Sequence, residues 1–271
     1  MFPLIGGIRV DQIEQQHVLN CVEPIWTTKN ETAQRVMQRI GKVLDVACAR
    51  QYRSGENPVD VIKRANILQR GAGGSRGNHS ALPWAELPAF WDQLREQDGT
   101  AALALQFTIL TTARTSETLG AVWSEIDLEA RTWTVPASRM KAKKPHTAPL
   151  CEAVIDLLNR MHNTRRGDLL FEGQKAGRPM SNMTMAALLR RMGRSDITVH
   201  GFRSSFRDWC GDHGVDRTLA ELSLAHTVGN AVEQAYARSE MLERRREVME
   251  DWGQFVTGAD HGRTGHRAAL A

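Results

Sequence analysis

The sequence predicts a mainly α-helical protein with one small antiparallel β-sheet, an α+β fold arranged in two domains. Three observations predict it. Long stretches place apolar residues three and four apart, the spacing of a helix with one buried face. The stretch SEIDLEARTWTVPAS, with HTAPL after it, changes to alternation. GAGGSRGNHS is rich in glycine and has no large apolar residue, so it reads as a linker between two helical bodies. At 271 residues and 41% hydrophobic content, the chain can bury one good core and a second, smaller one.

The first helix is expected to start at a capping box formed by Thr28 and Glu31, and to bury Ala33, Val36, Met37, Ile40, Val43, Leu44 and Ala47. GENPVDVIKRANIL continues as a turn and a short helix. This N-terminal piece is small for an independent domain and opens abruptly on PLIGGIRVDQI, so it is expected to lack an N-terminal extension. Beyond the linker Pro88 suits the first turn of a helix, and Thr100 to Thr112 is so rich in alanine and leucine that it must be largely buried. Ile126 then precedes a polar turn, and Trp133 and Val135 alternate with Thr132 and Thr134, which gives two antiparallel strands with HTAPL as the third. Helical patterns follow at 151–162, 183–194, 202–210, 216–224, 230–238 and 240–256, broken at Gly211, Gly214 and Gly229, with Asp216 and Ser239 as N-caps.

Composition excludes several classes. The formal charge of +4 permits a polyanionic partner without demanding one, so the location of charge decides. Cys21, Cys48, Cys151 and Cys210 lie far apart with no C-x-x-C pair, which argues against a zinc knuckle, a thioredoxin-like site or a disulfide scaffold and fits a reducing, cytoplasmic setting. The sequence begins without a secretory pattern, and no apolar run reaches the roughly 18 residues of a membrane span, so no membrane partner is expected.

Three segments carry polar groups where packing alone expects none: TTARTSETLG, VHGFRSSFRDW and LAHTVGNAVEQAYARS. In the first, Arg114 follows an apolar run and Glu117 lies one turn on; taken alone, the plainer reading is a surface ion pair. In the second, His200 and Arg203 stand three apart at a helix start and can aim at one spot, where a guanidinium fork and the helix terminus would together grip a phosphate. The plainer reading is a capping histidine and a solvated arginine. In the third, His226 and Tyr236 lie on two short helices across Gly229, and a buried tyrosine with a satisfied hydroxyl is the commoner case. A fourth element, RMKAKKPH, puts Arg139, Lys141, Lys143 and Lys144 in a hairpin connection without an acidic neighbour in sequence; it is either a solvated loop or a set of contacts to a DNA backbone or a leaving oxygen.

Together these segments closely resemble the tyrosine recombinases, in particular the integrases of prophages and genomic islands, and the resemblance covers most of residues 80–256. It implies a partial helical core-binding domain over 1–75 and a catalytic domain over 83–257, with the glycine-rich linker over 76–82 between them and a tail over 258–271 whose composition reads as disordered. It also implies that Arg114 is the first catalytic arginine, Lys141 the hairpin lysine, His200 and Arg203 the H-x-x-R pair, His226 the next histidine, Tyr236 the nucleophile and Glu117 the support of Arg114. Arg139, Lys143 and Lys144 are left to bind DNA. LAH stands here where the wider family more often has LGH.

The function so implied is site-specific DNA recombination through a 3′-phosphotyrosine link, which keeps the bond energy and needs no ATP. Arginines and histidine stabilise the transition-state charge, so no metal and no cofactor is expected. The implied partners are double-stranded attachment sites, a homotetramer on DNA, a host DNA-bending protein and an excisionase, in the bacterial nucleoid. Residues 239–256 form an amphipathic helix, with Met241, Val248, Trp252 and Phe255 on one side and Arg244, Arg245 and Arg246 on the other, that either packs on its own domain or reaches a neighbouring subunit. The rival readings are a non-catalytic DNA-binding remnant, a type IB topoisomerase-like strand cutter and, more distantly, a metal-dependent nuclease.

Overall fold

The structure, a computed structural model, describes residues 2–68, 80–163, 165–226 and 238–259. The expected helix at 230–238 up to residue 237, the break at Gly229, Tyr236 and residues 260–271 of the expected tail lie outside the described residues. The chain divides into two compact units, residues 1–77 and 78–271.

In the first unit a one-turn helix α1 (Phe2–Ile5) precedes α2 (Gln15–Trp26), α3 (Asn30–Ala49) and α4 (Pro58–Arg64). Helix α3 buries Ala33, Met37, Ile40, Leu44 and Ala47 in steps of three and four, the first four of which cluster with Val18, Leu19 and Val22 of α2. Val43, expected in that stripe, is 62% exposed, because the buried line passes through Leu44 beside it. The Thr28/Glu31 capping box does not form either. The helix starts at Asn30 with no side-chain cap, and Glu31 pairs instead with Arg35 one turn on. Asn57 does cap α4: its side chain accepts from the Val59 N–H and its amide donates to the Gly41 carbonyl at 3.0 Å, tying α4 to α3.

The second unit is helical around a three-stranded sheet. In order come α5 (Leu87–Arg95), with Pro88 in its first turn, then α6 (Thr100–Thr111) and α7 (Thr115–Leu119). Strands β1 (Ile126–Asp127), β2 (Thr132–Val135) and β3 (His146–Pro149) follow in antiparallel order, with Trp133 opposite Ala148 and Val135 opposite His146. Trp133 and Val135 are buried while Thr134 faces out, as the alternation predicts. Then come α8 (Glu152–His162), α9 (Thr184–Arg191), α10 (Gly201–Asp212), α11 (Arg217–Ser223) and α12 (Arg238–Thr257).

Helix α6 is the axis of this unit and is buried almost all round, with Phe107 against both Trp133 and Phe171. Asp216 caps α11 through the N–H groups of Thr218 and Leu219. Gly211 sits inside α10 rather than ending it, the break falling at Gly214 with φ of +67°. Ser239 is no cap, since the described helix already includes Arg238. Residues 80–82, expected in the linker, are packed: Leu82 is fully buried and the Ser80 carbonyl accepts from the Thr198 N–H. The amphipathic helix α12 lies on its own unit, against α5, α6, α8, α11 and β3; Val248, Met249, Trp252 and Val256 are buried, and the Trp252 indole donates to the Ile109 carbonyl at 3.0 Å. Arg245, placed on the polar side by sequence, is buried as well and donates to the Thr147 carbonyl of β3. No described helix is long and apolar enough to cross a membrane.

Candidate functional site

The site begins where α6 stops. Thr112 adopts a left-handed backbone, φ of +54°, which ends the helix and turns the chain toward Arg114. For a β-branched residue this conformation is strained. Its surroundings hold it there: the Thr112 hydroxyl donates to the Ser223 carbonyl at 3.2 Å, and its own carbonyl accepts from Arg203. Two residues on, Arg114 occupies the N-cap of α7 in extended backbone. Its N–H donates to one oxygen of Glu117 at 2.9 Å and its guanidinium to the other at 2.8 Å. Only 5% of the Glu117 side chain and 20% of the Arg114 side chain are exposed, so this is a sheltered pair rather than a surface one.

Arg203 rises from the first turn of α10 and is 5% exposed. Its guanidinium donates to the carbonyls of Thr112 and Leu224, the latter at 2.5 Å, and lies 3.1 Å from His226 Nε2. Burial, and next the charge of Arg114, push its pKa down to about 10, while Glu117 and Glu221 act the other way. A buried cation held by neutral carbonyls beside a second cation is incompletely compensated, an arrangement suited to an incoming anion. His200 stands exposed at the N-cap position of α10. Gly201 follows because the Ser80 carbonyl would lie 2.4 Å from any Cβ there; the second residue of HGFR is glycine for want of space.

His226 is set by the end of α11. Its N–H reaches back to the Glu221 carbonyl and that of Ala225 to Leu222, a Schellman ending with Ala225 in the left-handed position at φ of +52°. Ring nitrogen Nδ1 is hydrogen-bonded to Glu221, whose other oxygen lies 3.6 Å from Arg207. The hydrogen bond to His226 is the main cause holding the Glu221 carboxyl below its usual range.

The hairpin connection splits the basic residues. Arg139, expected on DNA, turns inward to pair with Glu125 and to donate to the Glu117 carbonyl at 3.1 Å, whereas Lys141, Lys143 and Lys144 are exposed. At its base His146, which sequence reasoning did not single out, is half-buried. Burial, then Arg245, push its pKa down to about 4, with Glu117, Arg114 and Arg203 also close enough to act on it. The only sequence signal for it was a histidine at the start of the third strand. Thus Arg114, Glu117, Arg203 and His226 are brought together, joined by Glu221 and His146. Lys141 and His200 are at exposed positions. Among the described residues no cluster of His, Cys, Asp or Glu could hold a metal ion.

The sequence profile described as Phage integrase family matches residues 82–243, more than half of the chain. The chain belongs to the phage integrase family. Residues 1–64 match the phage integrase central domain. Similar proteins include the prophage integrase IntA of Escherichia coli, 30% identical over 97% of this chain, and the integrase of Enterobacteria phage P4, 30% identical over 94%. The chain spans 63% and 62% of their respective lengths. In fold it resembles a lambda integrase dimer bound to a COC′ core site, with a TM-score of 0.61 at 16% identity over 81% of each chain. It also resembles a lambda integrase tetramer bound to a Holliday junction, with a TM-score of 0.63 at 15% identity over 82% of this chain and 66% of that one.

Proposed function

We propose that this chain is a site-specific DNA recombinase that cuts and rejoins DNA through a covalent link to Tyr236. The observation that carries the reading is the sheltered cationic site of Arg114, Arg203 and His226, in which a buried guanidinium is satisfied by neutral carbonyls and awaits an anion. In the cleavage step the Tyr236 oxygen attacks the scissile phosphorus, the 3′-phosphotyrosine bond forms, and the bond to the 5′ oxygen breaks. His200 takes the tyrosine proton and Lys141 protonates the departing oxygen. Arg114, Arg203 and His226 donate to the non-bridging oxygens, where charge accumulates, and each such donor is worth on the order of 10²–10³ in rate. Glu117 holds Arg114 at its post. Rejoining runs the same path backwards with a new 5′ hydroxyl, so neither ATP nor a metal ion enters the scheme.

Lys143 and Lys144 suit contacts to the DNA backbone. Two duplexes must be exchanged, which calls for a homotetramer on attachment-site DNA in the bacterial nucleoid, assisted by a host DNA-bending protein and an excisionase. The test is a nicked attachment site incubated with the protein and then denatured in SDS. Wild type gives a covalent adduct that persists in EDTA, and Tyr236→Phe gives none while still binding DNA. An adduct from the Phe variant, or its loss on chelation and return with magnesium, overturns the mechanism. Strand exchange between two sites rather than mere plasmid relaxation separates a recombinase from a topoisomerase.

A further inference from the structure

We infer that Glu221 is a positioning residue of this site, acting through His226 to fix which ring nitrogen faces the phosphate. The inference rests on the proposed recombinase reading for its catalytic consequence, but its geometric basis is independent of it.

An ionised carboxylate can only accept hydrogen bonds, so the hydrogen in the Glu221–His226 contact belongs to Nδ1. That assigns the tautomer. In the neutral ring Nε2 is then bare and accepts from the Arg203 guanidinium at 3.1 Å. Without Glu221, the ring could flip or move its hydrogen to Nε2, and an Nε2–H would point at a guanidinium that has only hydrogens to offer. In the neutral ring Glu221 therefore removes the arrangement in which two donors face each other. For Nε2 to donate to a phosphate oxygen the ring must carry a hydrogen on both nitrogens, and the Glu221 carboxylate still accepts from Nδ1 in that form.

The carboxylate is itself held. Its side chain is 18% exposed, one oxygen is engaged by His226 and the other lies 3.6 Å from Arg207 of α10, so the group is braced from two sides. Its placement follows from the chain's own turn. The Schellman ending of α11 folds residue 226 back over residue 221, bringing a side chain five positions earlier against the ring. The design parallels the carboxylates that orient histidines in metal sites and hydrolase triads, where loss of the orienting group costs about 10- to 100-fold or more.

The test uses the full chain with Glu221→Gln, Glu221→Ala, His226→Gln and the double variant Glu221→Ala/His226→Gln. Adduct formation on the nicked site should fall about 10- to 100-fold in Glu221→Ala and less in Glu221→Gln, whose amide oxygen still accepts from Nδ1–H, with DNA affinity little changed. In the His226→Gln background, Glu221→Ala should cost little more. Nitrogen NMR of labelled histidine, read without DNA, should show His226 protonated at Nδ1 in wild type and Glu221→Gln, and shifted toward Nε2 in Glu221→Ala. An unchanged tautomer in Glu221→Ala, or a full additional loss in the double variant, overturns the inference even where wild type forms its adduct. Failure of wild type itself to form an adduct overturns the proposed function and leaves the NMR outcome to decide this one.

Discussion

Glu117→Ala should separate the architecture of the site from its chemistry. Glu117 accepts two hydrogen bonds from Arg114 with 5% of its side chain exposed. Hydrogen bonds to a charged group contribute about 1.5–3 kcal/mol each, and removing one partner of a buried ion pair costs about 3–5 kcal/mol. Arg114 keeps a fifth of its side chain in water and regains some solvation, so the lower end applies and the loss should be about 3 kcal/mol. Glu117→Gln keeps one acceptor oxygen and should lose about half as much. For a unit of roughly 190 residues, each kcal/mol moves the midpoint by about 2–4 °C, so thermal unfolding followed by circular dichroism should show a fall of about 6–12 °C for Ala. The adduct rate should fall with it, since Arg114 loses its fixed aim. A midpoint within about 2 °C of wild type, a shift too small for a sheltered ion pair in a unit of this size, would refute the claim that the pair is structurally sheltered.

Three further outcomes are expected. His146 is held at about 4 when folded against 6.5 for the free group, so below pH 6.5 the unfolded chain takes up a proton that the folded one refuses. Stability should thus fall between pH 6.5 and about 4, by up to about 3 kcal/mol, and His146→Asn should flatten that limb in urea titrations; an unaltered limb would contradict it. Ala225→Gly relieves a left-handed alanine that costs about 1–2 kcal/mol, offset by about 0.4–1 kcal/mol of added freedom in the unfolded chain, so the urea midpoint should rise modestly, and a lowered midpoint would refute the assignment of that turn. If Lys141 is the general acid, a 5′-bridging phosphorothioate should restore cleavage to Lys141→Ala and not to Arg114→Ala. Rescue of Lys143→Ala instead would place the hairpin register wrong by two residues.

Most of the fold was legible because local pattern and burial agree. Trp133 and Val135 alternate with threonines because one face of β2 covers Phe107, and α6 reads as apolar on every side because it is surrounded. Arg114, Arg203 and His226 were singled out by motif, and Glu117 with Arg114, while the carbonyls that hold Arg203 and the carboxylate beside His226 were not. Glu125 is 14 residues from Arg139 and meets it only once the sheet has formed, so the basic stretch looked unopposed. Arg245 lies 98 residues from the Thr147 carbonyl that satisfies it, and a helical wheel assigns it to water. Glu221 depends on a reversal at Ala225 that an alanine does not advertise. Glycine at that place would have signalled the turn, which explains physically why LGH is the commoner spelling. Thr28 and Glu31 matched a capping box by spacing, yet Glu31 had an alternative partner one turn away in Arg35.

Arg203 joins the end of α6, the body of α10 and the end of α11 through the Thr112 and Leu224 carbonyls. Its loss would leave two buried acceptors unanswered, at about 1–3 kcal/mol each, before any DNA is bound. A variant without the proposed activity would therefore still be penalised, through misfolding and degradation, for mutating Arg203. Exposed Lys141 sits in a hairpin connection where substitution should cost the fold little. Drift would erase the lysine first and the arginine last. For judging which similar chains could carry out the proposed cleavage, the surface lysine is the more informative position, whereas the buried arginine also records that the protein has to fold.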